Sequence, residues 1–400
     1  MTETLELDPR EDAEGEALLQ RSWQLTRTLA RELSPRDLRT GRWFTQLLST
    51  YLRHYDAHRL HEAAAAKGTG ARTTEALIRR ACEAAFLTGA GSGSMTTGLT
   101  VASADAGPAG LMVAVPASAV IISSEMLVRA LIHLRLACDL ASAFHVRFDP
   151  EDPADFSRLY AILRGGEEQD TDEDPLGLGR VKHLAEAKAT GVGEDVGAKL
   201  LGDSVSRNLV PFLNVATSSL TNWRRTRRLG DSMLRYVRLR RALEDADAAL
   251  RRVAPRTESL LLESAWFIFV SDGRLRSEES AVLTHELARL PRPQRRETLE
   301  HFVEDTAAWL QRLRSAPAES REVLQGALNA LAAADLAVTG PERALLQKAA
   351  HALHTSLDNG HLDKLVRRYR KEGVAHPHPV PASEPRARQA ARREGPAPIH

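Results

Sequence analysis

Apolar residues recur along most of the chain at steps of three and four, the spacing that places them on one face of a helix. Leu18, Leu25, Leu29 and Leu33, with Trp23, predict a first helix. Ser34-Pro35 then offers a cap and a first-turn proline for a second, which carries Trp43, Leu47, Leu48, Tyr51 and Leu52 and ends at Gly68 and Gly70. A third follows Thr73-Thr74, with Leu77, Ile78, Ala81, Ala84 and Ala85 on its apolar side. Glu125 to His145 reads as a long helix bearing Leu127, Leu131, Leu134 and Leu140, and Asp149-Pro150 stops it. A short helix over Phe156 to Leu163 comes next. The expected fold class is all-α.

One stretch breaks this rhythm. Gly89-Ala-Gly-Ser-Gly-Ser94 leads into Gly98 to Ser124, where Asp105 is the sole charge. From Ala106 to Ser124 there is no charge at all, a length that approaches the roughly 18 apolar residues of a membrane span, yet Pro108, Gly110 and Pro116 interrupt it. It reads as a broken hydrophobic hairpin, either buried in the fold or dipping into a bilayer. In the second case Leu111, Val113, Val115, Val120, Ile121 and Ile122 are the candidate membrane contacts.

A second mainly apolar stretch, Ser204 to Trp223, is interrupted by Pro211 and gives way to a basic helix predicted to run to Val253. Arg224 to Arg241 holds eight arginines against the single Asp231. Leu229, Met233, Tyr236, Leu239, Leu243, Ala246 and Leu250 form an apolar stripe, and most of the arginines lie off it. Such a helix can rest on anionic lipid, with Arg224, Arg225, Arg227, Arg228, Arg235, Arg238 and Arg241 as headgroup contacts. It can equally pack in a core, its arginines paired with Glu244, Asp245, Asp247 and the acidic loop over 165–179. No recognisable nucleic-acid-binding motif accompanies the charge.

Pro255 separates two charge patterns and is the expected domain boundary. Beyond it the helical pattern repeats with an offset of 63 residues: Asp272 and Glu279 recur as Asp335 and Glu342, Leu283 as Leu346, and Leu290 as Leu353. Two matched helix-turn-helix units account for this economically. In the first, Asp272 ends a helix, Gly273 turns the chain, and Ser277 is the expected cap of a helix whose first turn holds Glu278 and Glu279. That role explains the spacing by itself. Alternatively, Asp272, Glu279, Asp335 and Glu342 converge to hold a hard divalent cation through oxygen ligands.

With 400 residues the chain is long enough for two domains, expected at 17–254 and 255–372, between a disordered acidic segment 1–16 and a disordered basic tail 373–400 rich in proline and histidine. Cys82 and Cys138 are too few for a disulfide framework and suggest a reducing compartment. The acidic first residues lack a signal-peptide pattern, so the expected location is the cytoplasm, peripheral at the inner membrane. Other candidate chemistry is poorly supported. Gly93 to Thr100 has phosphate-loop glycine spacing but Leu99 where lysine belongs. Asp170, Asp172 and Asp174 imitate a calcium loop until Pro175 and Val181 take the turn-glycine and glutamate positions. His54, His58 and His61 share a helix face, but Arg53 and Arg59 flank them. No zinc-protease helix, nucleophile elbow or Cys-x-x-Cys is present, so neither a reaction nor an organic cofactor is expected.

Two resemblances attach to these residues. Gly89 to Gly93, the apolar run, the helix to His145, Asp149-Pro150, Leu209-Val-Pro-Phe-Leu-Asn214 and Asn222-Trp-Arg-Arg together resemble the EcsC family over roughly 72–250. Phe267-Ile-Phe-Val-Ser-Asp272-Gly273 with Glu279, and Ala332-Ala-Ala-Asp335 with Glu342, resemble the TerB-type tellurite-resistance domain over about 257–370. Leu336 stands where the first unit has glycine. The resemblances imply a non-catalytic bacterial accessory protein at the cytoplasmic face of a membrane, in envelope stress or transport. Its partner would be an anionic membrane surface or a membrane-protein complex. The alternative they imply is a soluble metal-responsive interaction module, with a divalent ion at the acidic turns.

Overall fold

The computed structural model describes residues 51–52, 55, 74–88, 128–148, 155, 215–255, 257–273 and 275–371. The hydrophobic hairpin with Leu111, Val113, Val115, Val120, Ile121 and Ile122, the helix predicted over 17–33, the histidine trio, the phosphate-loop lookalike, the acidic loop and both chain ends lie outside the described residues. Among the described residues there are ten helices and no strand, an all-α fold. They are α1 (74–88), α2 (128–143), α3 (Val215–Val253), α4 (Glu258–Phe269), α5 (Ser277–Arg289), α6 (Arg292–Phe302), α7 (Thr306–Arg314), α8 (Ala318–Ala334), α9 (Gly340–Ala352) and α10 (Asn359–Lys371). A 3-10 turn, Val270–Asp272, extends α4.

The chain forms two compact units. Among the described residues, the first holds 51–52, 55, 74–88, 128–143, 147–148, 155 and 215–234, and the second holds 144–146 and 235–371. The division falls inside α3, after Leu234, and not at Pro255. Pro255 does end that helix at Val253, but the helix has already changed its packing partners by then: Arg251 pairs with Glu258 of α4 at 3.1 Å.

In the first unit Ile78, Ala81, Cys82 and Ala85 of α1 and Val128, Leu131, Ile132 and Leu134 of α2 are buried, as their spacing predicts. Gly230 of α3 lets the helix backbone approach α1: a methyl group there would stand 2.9 Å from Cγ1 and Cγ2 of Ile78. Asp139 is a buried polar hub. It accepts hydrogen bonds from Tyr55 Oη at 2.7 Å, Arg80 Nη2 at 3.1 Å and Arg135 Nε at 3.1 Å, satisfying a charge that burial would otherwise make costly. Across α2 and α3, His133 Nε2 meets Thr226 Oγ1 at 2.9 Å, and Arg129 donates to Asn222 at 3.0 Å. Both cysteines are buried and outside any disulfide, and burial pushes the Cys82 thiol up to about 12. Burial of this kind disfavours the thiolate.

In the second unit α4 is the central element. Its residues from Leu261 to Phe269 are all buried, and it packs against α5, α6, α7, α8 and α9. A helix apolar all round belongs in such a position. Trp266 stacks on Phe302 with ring centres 4.7 Å apart, and Phe267 on Trp309 at 4.9 Å. Trp309 also donates to Ser264 Oγ at 3.1 Å. Glu263, 2% exposed, joins three helices, with Oε1 2.6 Å from His301 Nδ1 and Oε2 accepting from Arg312 Nε at 2.7 Å.

Candidate functional site

The 63-residue repeat is visible in the backbone. Helices α5 and α9 match end to end at that offset, Ser277 with Gly340 and Arg289 with Ala352, and Leu283 and Leu346 are both fully buried. Each helix begins with the same device. Glu279 Oε2 accepts the N–H of Arg276 at 2.7 Å, and Glu342 Oε2 accepts the N–H of Thr339 at 2.6 Å. A carboxylate in the first helical turn thereby satisfies an amide that the helix itself leaves without a partner. Ser277 is the first residue of α5 and not its cap, which corrects the expectation: Arg276 takes that place, while the Ser277 hydroxyl donates to Glu278 at 3.3 Å. In the second turn Thr339 serves as expected of a threonine, its Oγ1 accepting from Glu342 N at 3.3 Å.

The turns preceding the two helices share their hand. Gly273 has φ +83° and Leu336 has φ +65°. The left-handed conformation is one that leucine adopts at a cost of roughly 1–2 kcal/mol. Leu336 is held there by its N–H, bonded to Ala333 O at 3.0 Å, and by its carbonyl, which accepts from Arg370 Nη2 at 2.9 Å.

Asp335, Glu279 and Asp272 act on one side chain, the guanidinium of Arg276, while Glu342 is coupled to Asp335 and Asp272. Its Nη1 donates to Asp335 Oδ2, and the charges of Glu279 and Asp272 also act on it. From α3, Arg235 Nε lies 2.8 Å from Asp335 Oδ1, and its Nη1 is 3.7 Å from Glu278. Burial pushes the Glu279 carboxyl up to about 8. The Arg276 amide and guanidinium oppose that rise, and Asp335 and Glu278 reinforce it. Glu342 is raised too, by burial first, and also by Asp335 and Asp272 against the Thr339 bonds. Among the described residues no three of these carboxylates offer oxygens within 4.8 Å of one another. Arg276 stands beside Asp335 instead, and no sequence pattern announces it, because Arg276 stands opposite Thr339 in the repeat.

Beside the turns an apolar groove of about 670 Å³ opens between α4, the α6–α7 corner and α9. Val270 and Ser271 precede Asp272, and Pro341 precedes Glu342, so the groove and the acidic turns adjoin. Val303, 68% exposed, lies on its rim between Phe302 and Glu304.

The arginine helix is mostly engaged. Leu229, Met233, Tyr236, Leu239, Leu243, Ala246 and Leu250 are all buried. Arg227 bonds Glu75 through two nitrogens and pairs with Asp231 at 3.5 Å, Arg235 serves the acidic turns, Arg241 pairs with Asp245 at 2.6 Å, and Arg238 is buried. Arg225 is half-buried, while Arg224 and Arg228 are exposed. Among the described residues no helix is long and apolar enough to cross a membrane. Comparison of the chain with protein-family models, curated proteins and solved structures returned no match. The EcsC and TerB resemblances therefore rest on the residues named for them alone.

Proposed function

We propose that the chain is a metal-responsive protein-interaction module whose working surface is the pair of acidic turns with the groove beside them. The observation that carries this reading is the Arg276 guanidinium bonded to Asp335 and acted on by Glu279 and Asp272, with Glu342 coupled to the same two aspartates. Acidic groups that already hold one guanidinium suit a second cation in its place: an arginine or lysine of a partner, or a hard divalent ion. The Arg276 side chain is 38% exposed. The adjoining groove suits apolar residues next to that basic group, so the partner is a basic, apolar segment. The test is titration of the full-length chain with an Arg/Leu-rich peptide, its Glu/Leu counterpart, and magnesium or calcium. Binding of the basic peptide that weakens at least tenfold in Asp335→Asn supports the reading, and binding indifferent to Asp335 refutes it.

A second reading is favoured by one stripe of α3. Leu220, 47% exposed, is followed at four-residue steps by exposed Arg224 and Arg228, an apolar-basic edge suited to an anionic surface. On that reading the protein is a non-catalytic accessory at the cytoplasmic face of a bacterial membrane, in envelope stress or transport. Co-sedimentation with anionic vesicles that salt abolishes, and that Arg224→Glu with Arg228→Glu removes, would support it. Equal binding to neutral vesicles, or none, would sink it.

A further inference from the structure

A different cluster, away from the acidic turns, has the composition of a metal site. Glu244 on α3 and His285 and Glu286 on α5 each offer one ligand atom, and these atoms all lie within 4.8 Å of one another. We propose that Glu244, His285 and Glu286 bind a transition-metal dication of the zinc class.

One imidazole and two carboxylates form a mixed nitrogen–oxygen set, which suits zinc and its neighbours better than the all-oxygen preference of magnesium or calcium. The separations fit. His285 Nε2 stands 3.8 Å from Glu286 Oε1, too far for a hydrogen bond between them. Ligands each about 2.0–2.1 Å from a tetrahedral zinc sit roughly 3.3 Å apart, so small side-chain rotations close the set. His285 and Glu286 are 8% and 7% exposed in their side chains, and Glu244 is 24% exposed, giving the ion a way in from one side.

The surroundings support the same use. Arg240 Nε donates to Glu244 Oε1 at 2.9 Å while its Nη1 donates to Tyr236 Oη at 3.2 Å, so the carboxylate is oriented from behind. Outer hydrogen bonds of this kind fix a metal-binding carboxylate. Arg289 Nη1 spans both Glu286 oxygens at 3.3 Å, but its side chain is 46% exposed and can leave. Burial raises the Glu286 carboxyl; His285 and Arg289 lower it, and Glu244 and Asp247 raise it again. This trio shares no residue with the acidic turns and stands or falls independently of them.

The experiment uses the full-length chain stripped with chelator, titrated calorimetrically with zinc and followed by the visible spectrum of cobalt. The expected result is one tight equivalent, weakened at least tenfold by His285→Ala and by Glu244→Gln, and unchanged by Asp335→Asn and by excess magnesium. If His285→Ala fails to fold, Glu244→Gln decides, because that partly exposed side chain is dispensable to the core. No zinc heat, or an affinity that survives Glu244→Gln, overturns the proposal, and the second outcome would assign the metal to other histidines.

Discussion

Replacing Glu279 by glutamine should make the protein's stability depend less on pH. The group is 7% exposed, and its carboxyl sits at about 8 against an ordinary 4.5. A carboxyl raised on folding favours the folded state fully only below its unfolded value, and that advantage is lost as pH climbs from about 4.5 to about 8. Each tenfold difference in proton affinity between the folded and unfolded chain corresponds to about 1.4 kcal/mol, so the wild-type protein gives up roughly 3–5 kcal/mol over that window through this one group. Glutamine keeps an acceptor for the Arg276 amide and has no proton to lose. The variant and wild type should therefore have similar stability near pH 4.5–5, and the variant should be the more stable by a few kcal/mol at pH 8.5. Urea unfolding followed by tryptophan fluorescence at four pH values reports the difference, since Trp266 and Trp309 lie in the core of this unit. A gap that stays constant with pH, or wild type gaining on the variant as pH rises, would refute the reasoning.

Four further substitutions probe the packing of the two units. Glu263→Ala should cost about 2–4 kcal/mol in urea unfolding, because it leaves Arg312 and His301 without their shared buried partner; a loss under 1 kcal/mol would show that the network contributes little. Gly273→Ala should destabilise by about 1 kcal/mol through its positive φ alone, as no atom lies within 4 Å of the added methyl, whereas Leu336→Gly should be neutral or stabilising by up to about 1 kcal/mol in thermal melts. Gly230→Ala gains about 1 kcal/mol of helix propensity but crowds Ile78, for a net loss of about 1–2 kcal/mol. Ile78→Val in the same chain should recover much of that loss in a double-mutant cycle.

The sequence was most readable where period and composition agree. The stripe from Leu229 to Leu250, the helix after Thr73 and the 63-residue repeat follow from side chains that must be buried on one face, and all are found there, as is the end of the basic helix at Val253. The matched turns that carry Asp272 with Glu279 and Asp335 with Glu342 were legible for the same reason, since matched offsets imply matched turns. What packs between them was not. Arg276 reads as an ordinary loop arginine until the second turn is brought beside it, and Arg235 reads as one of eight basic residues on a helix. Ser277 looked like a cap because serine prefers that place, yet the Glu279 carboxylate meets the Arg276 amide one residue earlier. Leu336 gave no hint of a left-handed turn, which tertiary bonds to Ala333 and Arg370 impose. The Glu244, His285 and Glu286 trio spans two helices and has no motif at all.

The most direct test of the acidic turns as a cation-receiving surface is hydrogen–deuterium exchange of the full chain with and without saturating Arg/Leu-rich peptide. Release of Arg276 and its replacement predict changed exchange in 270–280 and 335–343, and little elsewhere beyond the rim of the groove. Unchanged exchange in both turns, with protection appearing only in other parts of the chain, would contradict the account.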